Sequence, residues 1–389
     1  MKKNHAAVCA GILALAAAGS LIAQDISEID KNFRPAKVGN LAVNYFNALK
    51  QPFEVTGFPW RKDGGPLYRI PGNLTEKEIN RGVLSLAWHT SGGTVRFKTD
   101  SPYLTIRADY QRFSDMNHMP RSGSAGFDLY TVGDDGGELY LTTIQPGPEN
   151  RKKTLERRFV NVPRGKLRTY TVYLPLYSGV KNLEIGVKPG SKLLPPDPQK
   201  IRKPILFYGS SITQGGCASR PANNYTTMLC RAVDAPQVNL GFSGSARGEE
   251  ALAREIGKLK LALAEAIAKL DLAVFVMDYD YNAPSAEHLE KTHEPFFQAV
   301  RKGNPDLPII MLSKCSWISP QRRDIIRKTY ENAVKAGDKK VWFIDGNELF
   351  GEPGQNMCTV DHCHPNDLGF YMMHRRVLPV LKEALAAGK

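Results

Sequence analysis

The chain has only six cysteines and eight histidines in 389 residues. No Cys-x-x-Cys pair or regular Cys/His spacing occurs among them, which excludes the common structural zinc modules. Acidic residues are in the minority, 39 against 52 Lys and Arg, for a formal net charge of +13. The basic clusters at Arg151–Lys153, Arg157–Arg158, Lys200–Lys203, Arg322–Arg323 and Arg375–Arg376 are scattered, and no nucleic-acid-binding motif accompanies them. They read as a solvated basic surface, or as long-range attraction toward an anionic polymer or membrane surface. Beyond residue 23 no apolar run approaches the ~20 residues needed to cross a bilayer. At 42% hydrophobic and 23% charged the composition is that of a folded chain. It is too long for one typical core, so two domains are expected.

Residues 1–24 have the layout of a secretory signal: Lys2 and Lys3, then apolar residues from Ala6 to Ala23, then Gln24-Asp25. Cleavage is expected near Ala23 or Gln24, and an uncleaved anchor is the alternative. Lys2 and Lys3 are the only charges before Asp25, so the mature chain carries +13 − 2 = +11. Export to the periplasm or beyond follows. Of the cysteines, Cys9 leaves with the leader; Cys217, Cys230, Cys315, Cys358 and Cys363 remain, an odd number for an oxidising compartment. Cys358 and Cys363 flank Asp361 and are placed to staple its loop, with free buried thiols the alternative.

From about Val38 to Gly190 short β-rich runs such as Gly93–Lys98, Tyr103–Arg107, Phe127–Val132, Glu138–Ile144, Thr169–Leu174 and Asn182–Val187 alternate with Gly, Pro, Asp and Ser. Several alternate apolar with polar side chains, as half-buried antiparallel strands do, so a β-sandwich is predicted over 25–196. The Pro-rich run 192–199 marks a stiff linker. From 197 to 389 buried strands, at 205–209, 237–242, 272–278, 308–313 and 341–345, alternate with amphipathic helices near 248–269, 285–302, 320–336 and 367–387. That alternation predicts parallel strands joined by crossover helices, a three-layer α/β domain.

Ligands in such sheets bind at the carboxyl ends of the strands. Ser211 follows the first strand, Gly244 the second and Asn282 the third, so all three fall on one rim. Serine needs a histidine to take its proton and a carboxylate to hold the imidazole's tautomer; Asp361 and His364, three apart before Pro365, supply both. Gly244 offers a backbone N–H without a side chain in the way. Asn282 offers an uncharged donor, with a helix cap before Ser285 as its alternative. Downstream of the serine, Arg220, Asn224 and Tyr225 are candidate substrate contacts, or else a cap and a core aromatic of the next helix. In Phe127–Val132 the strand period puts Asp128 and Tyr130 on one face, to bridge a domain interface or to face solvent. His362 and His364, two apart, are too weak a pattern to predict a metal.

The order Gly-Ser-Ser211-Ile-Thr, Gly244, Asn282, Asp361-x-x-His364 resembles the four blocks of the SGNH (GDSL-like) hydrolases. The longer string at 208–221, with Gly126-Phe-Asp-Leu-Tyr130 ahead of it, is similar to a bacterial branch carrying a β-rich domain with a Gly-x-Asp-Leu-Tyr signature. One departure is Ser210, where the wider superfamily has Asp; another is Ser245-Ala246 after the glycine. The resemblance implies a flavodoxin-like hydrolase domain after an all-β sandwich, and a shallow site needing neither metal nor cofactor. Ser211 would be nucleophile, His364 base, Asp361 its orienting acid, and the N–H groups of Ser211 and Gly244 with the Asn282 side chain the oxyanion hole. The expected activity is an exported esterase removing short acyl groups, acetyl above all, from carbohydrate. A lipid esterase or lysophospholipase is one alternative; a glycan-binding protein with a decayed catalytic domain is another. The partner is thus an acylated carbohydrate or other small ester, with no nucleic acid and no integral membrane contact after cleavage.

Overall fold

A computed structural model describes residues 35–248, 262–315 and 319–388. The predicted leader, the start of the helix expected at 248–269 and residues 316–318 lie outside them. No helix among the described residues is long and apolar enough to cross a membrane.

The first part of the chain forms β1 (Pro35–Val38), β2 (Leu41–Asn47), β3 (Glu54–Thr56), β4 (Thr94–Thr99), β5 (Leu104–Arg112), β6 (Phe127–Val132), β7 (Glu138–Ile144), β8 (Leu155–Arg158), β9 (Arg168–Tyr173), β10 (Gly179–Val187) and β11 (Leu193–Leu194). They pair antiparallel into two sheets, ordered β1-β2-β10-β5-β8 and β11-β4-β9-β6-β7, with β3 on the edge of β4. Alternate residues of both sheets, among them Phe97, Ile106, Phe127, Leu129, Val172 and Ile185, fill the space between them. The opposite face of β6 carries Asp128 and Tyr130, both buried.

The second part is a parallel sheet of β12 (Ile205–Gly209), β13 (Gln237–Gly241), β14 (Val274–Asp278), β15 (Ile309–Leu312) and β16 (Val341–Ile344), ordered β13-β12-β14-β15-β16. This is the flavodoxin-like order, whose switch point lies beside its first strand. Every residue of β12, β13 and β14 is buried, because helices cover both faces. Ahead of this sheet in the chain are α1 (Arg81–Leu86) and α2 (Arg121–Ser124); then come α3 (Ser211–Gln214), α4 (Tyr225–Val233), α5 (Ala262–Ala268), α6 (Ala286–Gly303), α7 (Pro320–Lys335), α8 (Gly354–Cys358) and α9 (Asp367–Ala387). The strand period divides the core in two. Leu206, Tyr208, Phe275 and Met277 meet α5, α6 and α7 on one face. Ile205, Phe207, Val274 and Val276 meet α4 and α9 on the other.

The division between the parts is less clean than the linker suggested. Between β3 and β4 the chain leaves the sandwich, and Ile70, Ile79, Val83 and Ala87 join the hydrolase core. Arg69, fully buried there, donates to the Asn239 and Gly241 carbonyls at 2.8 and 2.9 Å, at the exit of β13. The Pro-rich run is strapped down too. Asp197 accepts from Lys98 at 2.7 Å and from Thr169 at 2.8 Å.

Candidate active site

The site begins where β12 stops at Gly209. A Cβ there would lie 2.1 Å from Thr213 Oγ1 and 2.3 Å from the Asp278 carbonyl oxygen, so only glycine lets the chain turn this tightly into α3. Ser210 caps that short helix, its Oγ accepting from Ile212 N at 3.1 Å. The residue that departs from the family's usual Asp thus serves the role an Asp would serve as N-cap. Ser211 is next, in the first turn, where backbone N–H groups have no acceptor within the helix.

His364 reaches Ser211 from the loop between α8 and α9. Its Nε2 lies 2.9 Å from Ser211 Oγ, and its Nδ1 lies 2.8 Å from Asp361 Oδ2. The other Asp361 oxygen accepts the backbone N–H groups of Cys363 and His364 at 3.0 and 2.7 Å. His362 sits at φ 60°, in the left-handed region, and this sharp turn brings Asp361 and His364 to one side of the loop. The hydrogen bonds from His364 and Cys363 outweigh burial and hold the Asp361 carboxyl below its ordinary range. Contact with Cys363 first, then with Asp361, pushes His364 up to about 9 against the opposing effect of burial. Cys363 moves the opposite way: burial raises its thiol, but His364 and Tyr281 more than offset this and lower it. Cys217, by contrast, is pushed up to about 12 by burial. All five cysteines of the described chain are unpaired, so the Cys358–Cys363 staple is not formed. Four of the five are buried.

Gly244 sits at φ 64° in a turn after β13, with open space where a side chain would be. Asn282 follows β14, and one of its two amide N–H groups donates to the Phe242 carbonyl at 2.9 Å, tying it to that turn. The turn is tied in its own right to the nucleophile helix, because Gln214 Oε1 accepts from Ser243 N at 3.0 Å.

The three candidate substrate contacts are corrected. Asn224 and Tyr225 are fully buried. Asn224 caps α4 and donates to the Thr213 carbonyl at 2.9 Å; Tyr225 donates to Asp278 at 2.7 Å. Arg220 points to the sandwich, donating to Asp128 at 3.0 Å and to the Tyr130 hydroxyl at 2.7 Å. The cap and core readings describe the first two, and a domain clasp describes the third. Asp128 also accepts from Ala222 N at 2.8 Å and from Thr143 at 2.5 Å. Of the two roles open to Asp128 and Tyr130, they therefore take the interface. Beneath the elbow, Asp278 is pushed up to about 7 by burial, while accepting from Thr213 and Tyr225.

Several contributors come from the sandwich and carry no local signal. Tyr177 donates to the Ser211 carbonyl at 3.1 Å; Ser91 donates to the Gln214 carbonyl at 2.6 Å; His89 meets the Gln214 amide at 3.0 Å. The exposed His118 ring stands 6.0 Å, centroid to centroid, from His364. Beside it, loop 115–121 and Gln145 line an open hollow of about 510 Å³. A second cavity, of about 440 Å³, lies in the domain seam between residues such as Thr171, Glu138 and Arg231, and no triad residue lines it. No triad residue lines the hollow either, but His118 on its rim brings it beside His364. Gln214 was the one supporting residue within reach of sequence reasoning, being an amide inside the nucleophile string.

Residues 202–382 match the model of the GDSL-like lipase/acylhydrolase family, and residues 43–193 match the GxDLY model, described as the N-terminus of SGNH-hydrolase-type esterases. Among solved structures the chain is similar to a GDSL-lipase-like protein of Bacteroides ovatus ATCC 8483, at 26% identity and TM-score 0.76 over 88% of this chain and 98% of that one. The salicylyl-acyltransferase SsfX3 of a tetracycline biosynthetic pathway aligns at 18% identity and TM-score 0.70 over 86% and 97%. The acetyl xylan esterase Est2A of Butyrivibrio proteoclasticus aligns at 15% identity and TM-score 0.54 over 88% and 99%. The last two likenesses are of fold. No curated protein matches the chain.

Proposed function

We propose, from the premise that the chain belongs to the GDSL-like lipase/acylhydrolase family, that this esterase removes short acyl groups, acetyl above all, from carbohydrate outside the cytoplasm. The observation that carries the reading is the continuous chain of hydrogen bonds Ser211–His364–Asp361 opening beside a hollow whose loop presents Asn117, His118 and Arg121. Such side chains suit sugar hydroxyls better than an alkyl chain. The sandwich-plus-hydrolase fold shared with the acetyl xylan esterase supports the same substrate class, and the leader-like residues 1–24 support export.

In this reading Ser211 Oγ attacks the ester carbonyl while His364 Nε2 takes its proton, and Asp361 holds the imidazolium that forms. The negative charge develops on the carbonyl oxygen. The N–H groups of Ser211 and Gly244 and the second Asn282 N–H receive it. Collapse returns the proton through His364 to the departing sugar oxygen, leaving the acyl group on Ser211. Water, deprotonated by His364, then releases the acid.

The test is one plate: para-nitrophenyl acetate, butyrate and octanoate beside acetylated polysaccharides. Fastest turnover of acetate, with acetate freed from a polysaccharide, is the expected result. Preference for octanoate would make it a lipid esterase, and glycan binding without hydrolysis would make it a binding protein; either overturns the proposal.

A further inference from the structure

Beside the catalytic hydrogen bonds, the loop that carries them presents a second arrangement. A carboxylate oxygen of Asp361, the Cys363 sulfur and a ring nitrogen of His364 all lie within 4.8 Å of one another. These are an O, an S and an N donor, the set that a borderline-soft divalent cation such as Zn²⁺ accepts. Tetrahedral zinc, with bonds of about 2.0–2.3 Å, holds neighbouring N and S donors roughly 3.5 Å apart. Closing the cluster onto an ion therefore needs side-chain shifts of about 1 Å, within one four-residue loop.

Two features favour the site. The turn at His362, φ 60°, and the two backbone N–H groups held by Asp361 Oδ1 already fix the loop that aims the donors. Asp361 is exposed and the other two are half-buried, so an ion can enter from solvent. Lys314, the nearby cation, has its ammonium 3.8 Å above the Tyr281 ring.

The geometry points to Asp361, Cys363 and His364 as a binding site for zinc or a cation like it, with water in the fourth position, whose occupation switches the esterase off. This rests on the triad reading above. When Nδ1 of His364 bonds the metal, the proton it had shared with Asp361 moves to Nε2, and the Cys363 thiol releases its own to solvent. Nε2 then has no lone pair with which to take the Ser211 proton. A metal on Nε2 instead would displace Ser211 from its base directly. Either way Ser211 is left unactivated.

The test uses the full chain after EDTA treatment and dialysis, as wild type, Ser211→Ala and Cys363→Ser, with Cys363→Ala as a second variant and circular dichroism to check folding. Each is titrated with Zn²⁺ by calorimetry, and with Cd²⁺ while following the ultraviolet thiolate-to-metal absorption. Wild type and Ser211→Ala should each bind one equivalent and show that band; both Cys363 variants should lack it and bind at least tenfold more weakly. Saturating Zn²⁺ should cut wild-type hydrolysis of para-nitrophenyl acetate at least tenfold, reversibly by EDTA. Each Cys363 variant should keep most of its own metal-free rate. No band in the wild type, or zinc inhibition that survives both Cys363 changes, would overturn the site. Binding without any hydrolysis by the metal-free protein would keep the site and overturn the esterase reading, so the two fail separately.

Discussion

The Tyr177 hydroxyl, carried by the sandwich part of the chain, donates a 3.1 Å hydrogen bond to the carbonyl oxygen of Ser211. The backbone of Ser211, the proposed nucleophile, is thus held from the sandwich. Gln214, at the end of the same helix, is held there as well by the Leu176 carbonyl at 3.1 Å. The GxDLY sandwich acts here as a brace for the catalytic elbow.

Ser211→Ala should reduce ester hydrolysis by ~10⁴–10⁶ in kcat with little change in melting temperature, since triad members act as a unit. His364→Ala should cost about as much. Asp361→Asn, which keeps shape and loses charge, should retain more activity than either. Steady-state kinetics with para-nitrophenyl acetate measure all three, and a Ser211→Ala enzyme above a tenth of wild-type rate would remove Ser211 from the role.

Asn282→Ala should lower kcat by ~10²–10³ and leave KM nearly unchanged, because an oxyanion donor acts in the transition state. An effect confined to KM would make Asn282 a ground-state ligand instead. Its bond to the Phe242 carbonyl adds a check. If the amide only positions the Gly244 turn, Asn282→Asp, which keeps the size but can no longer donate from that position, should lose stability along with rate.

The pH profile follows from His364, whose pKa is pushed up to about 9 through Cys363 and then Asp361. The base must be neutral to accept a proton, so kcat/KM should climb with pH through about 9. Cys363→Ser removes the larger of these influences and should move that limb down toward the ordinary 6.5. Because the folded pKa is the higher one, the stability contributed by His364 is complete below about 6.5 and is lost as pH rises through about 9. An unchanged limb in Cys363→Ser would refute the coupling.

Arg220→Ala should destabilise the protein by about 3–5 kcal/mol, since it strands Asp128, fully buried, without its cation. Burial already raises the Asp128 pKa, and Arg220 is the strongest influence lowering it. Asp128→Asn combined with Arg220→Ala should recover part of the loss. Denaturant unfolding of the single and double variants reads the coupling, and additive losses would show that the pair does not interact.

A chain begun near Lys200 keeps every triad residue but discards Arg69, Ile70, Val83 and Tyr177, which pack into or brace the hydrolase. It should give no cooperative thermal transition by circular dichroism. A sharp transition with intact hydrolysis would show those contacts to be dispensable.

The alternation of buried strands with helical periods was enough to predict a three-layer α/β domain, with β12 at residues 205–209, because a strand covered on both faces has to be apolar throughout; its flavodoxin-like character was implied only by the family resemblance. The period-2 runs likewise predicted two antiparallel sheets, and β6 and β7 fall on the expected residues. Ser211, Asp361 and His364 were legible because each lies in a short local pattern whose chemistry needs those residue types together. Arg220, Asn224 and Tyr225 stayed open between substrate contact and cap or core for the opposite reason: a polar side chain near a candidate nucleophile looks the same in sequence whether it faces substrate, caps a helix or pairs with a carboxylate 92 residues away. Tyr177, His118 and the α1 segment had no local signal at all. Their roles come from docking one domain on the other, and burial of a hydroxyl or an arginine is decided only when distant surfaces meet and each polar group must find its partner there.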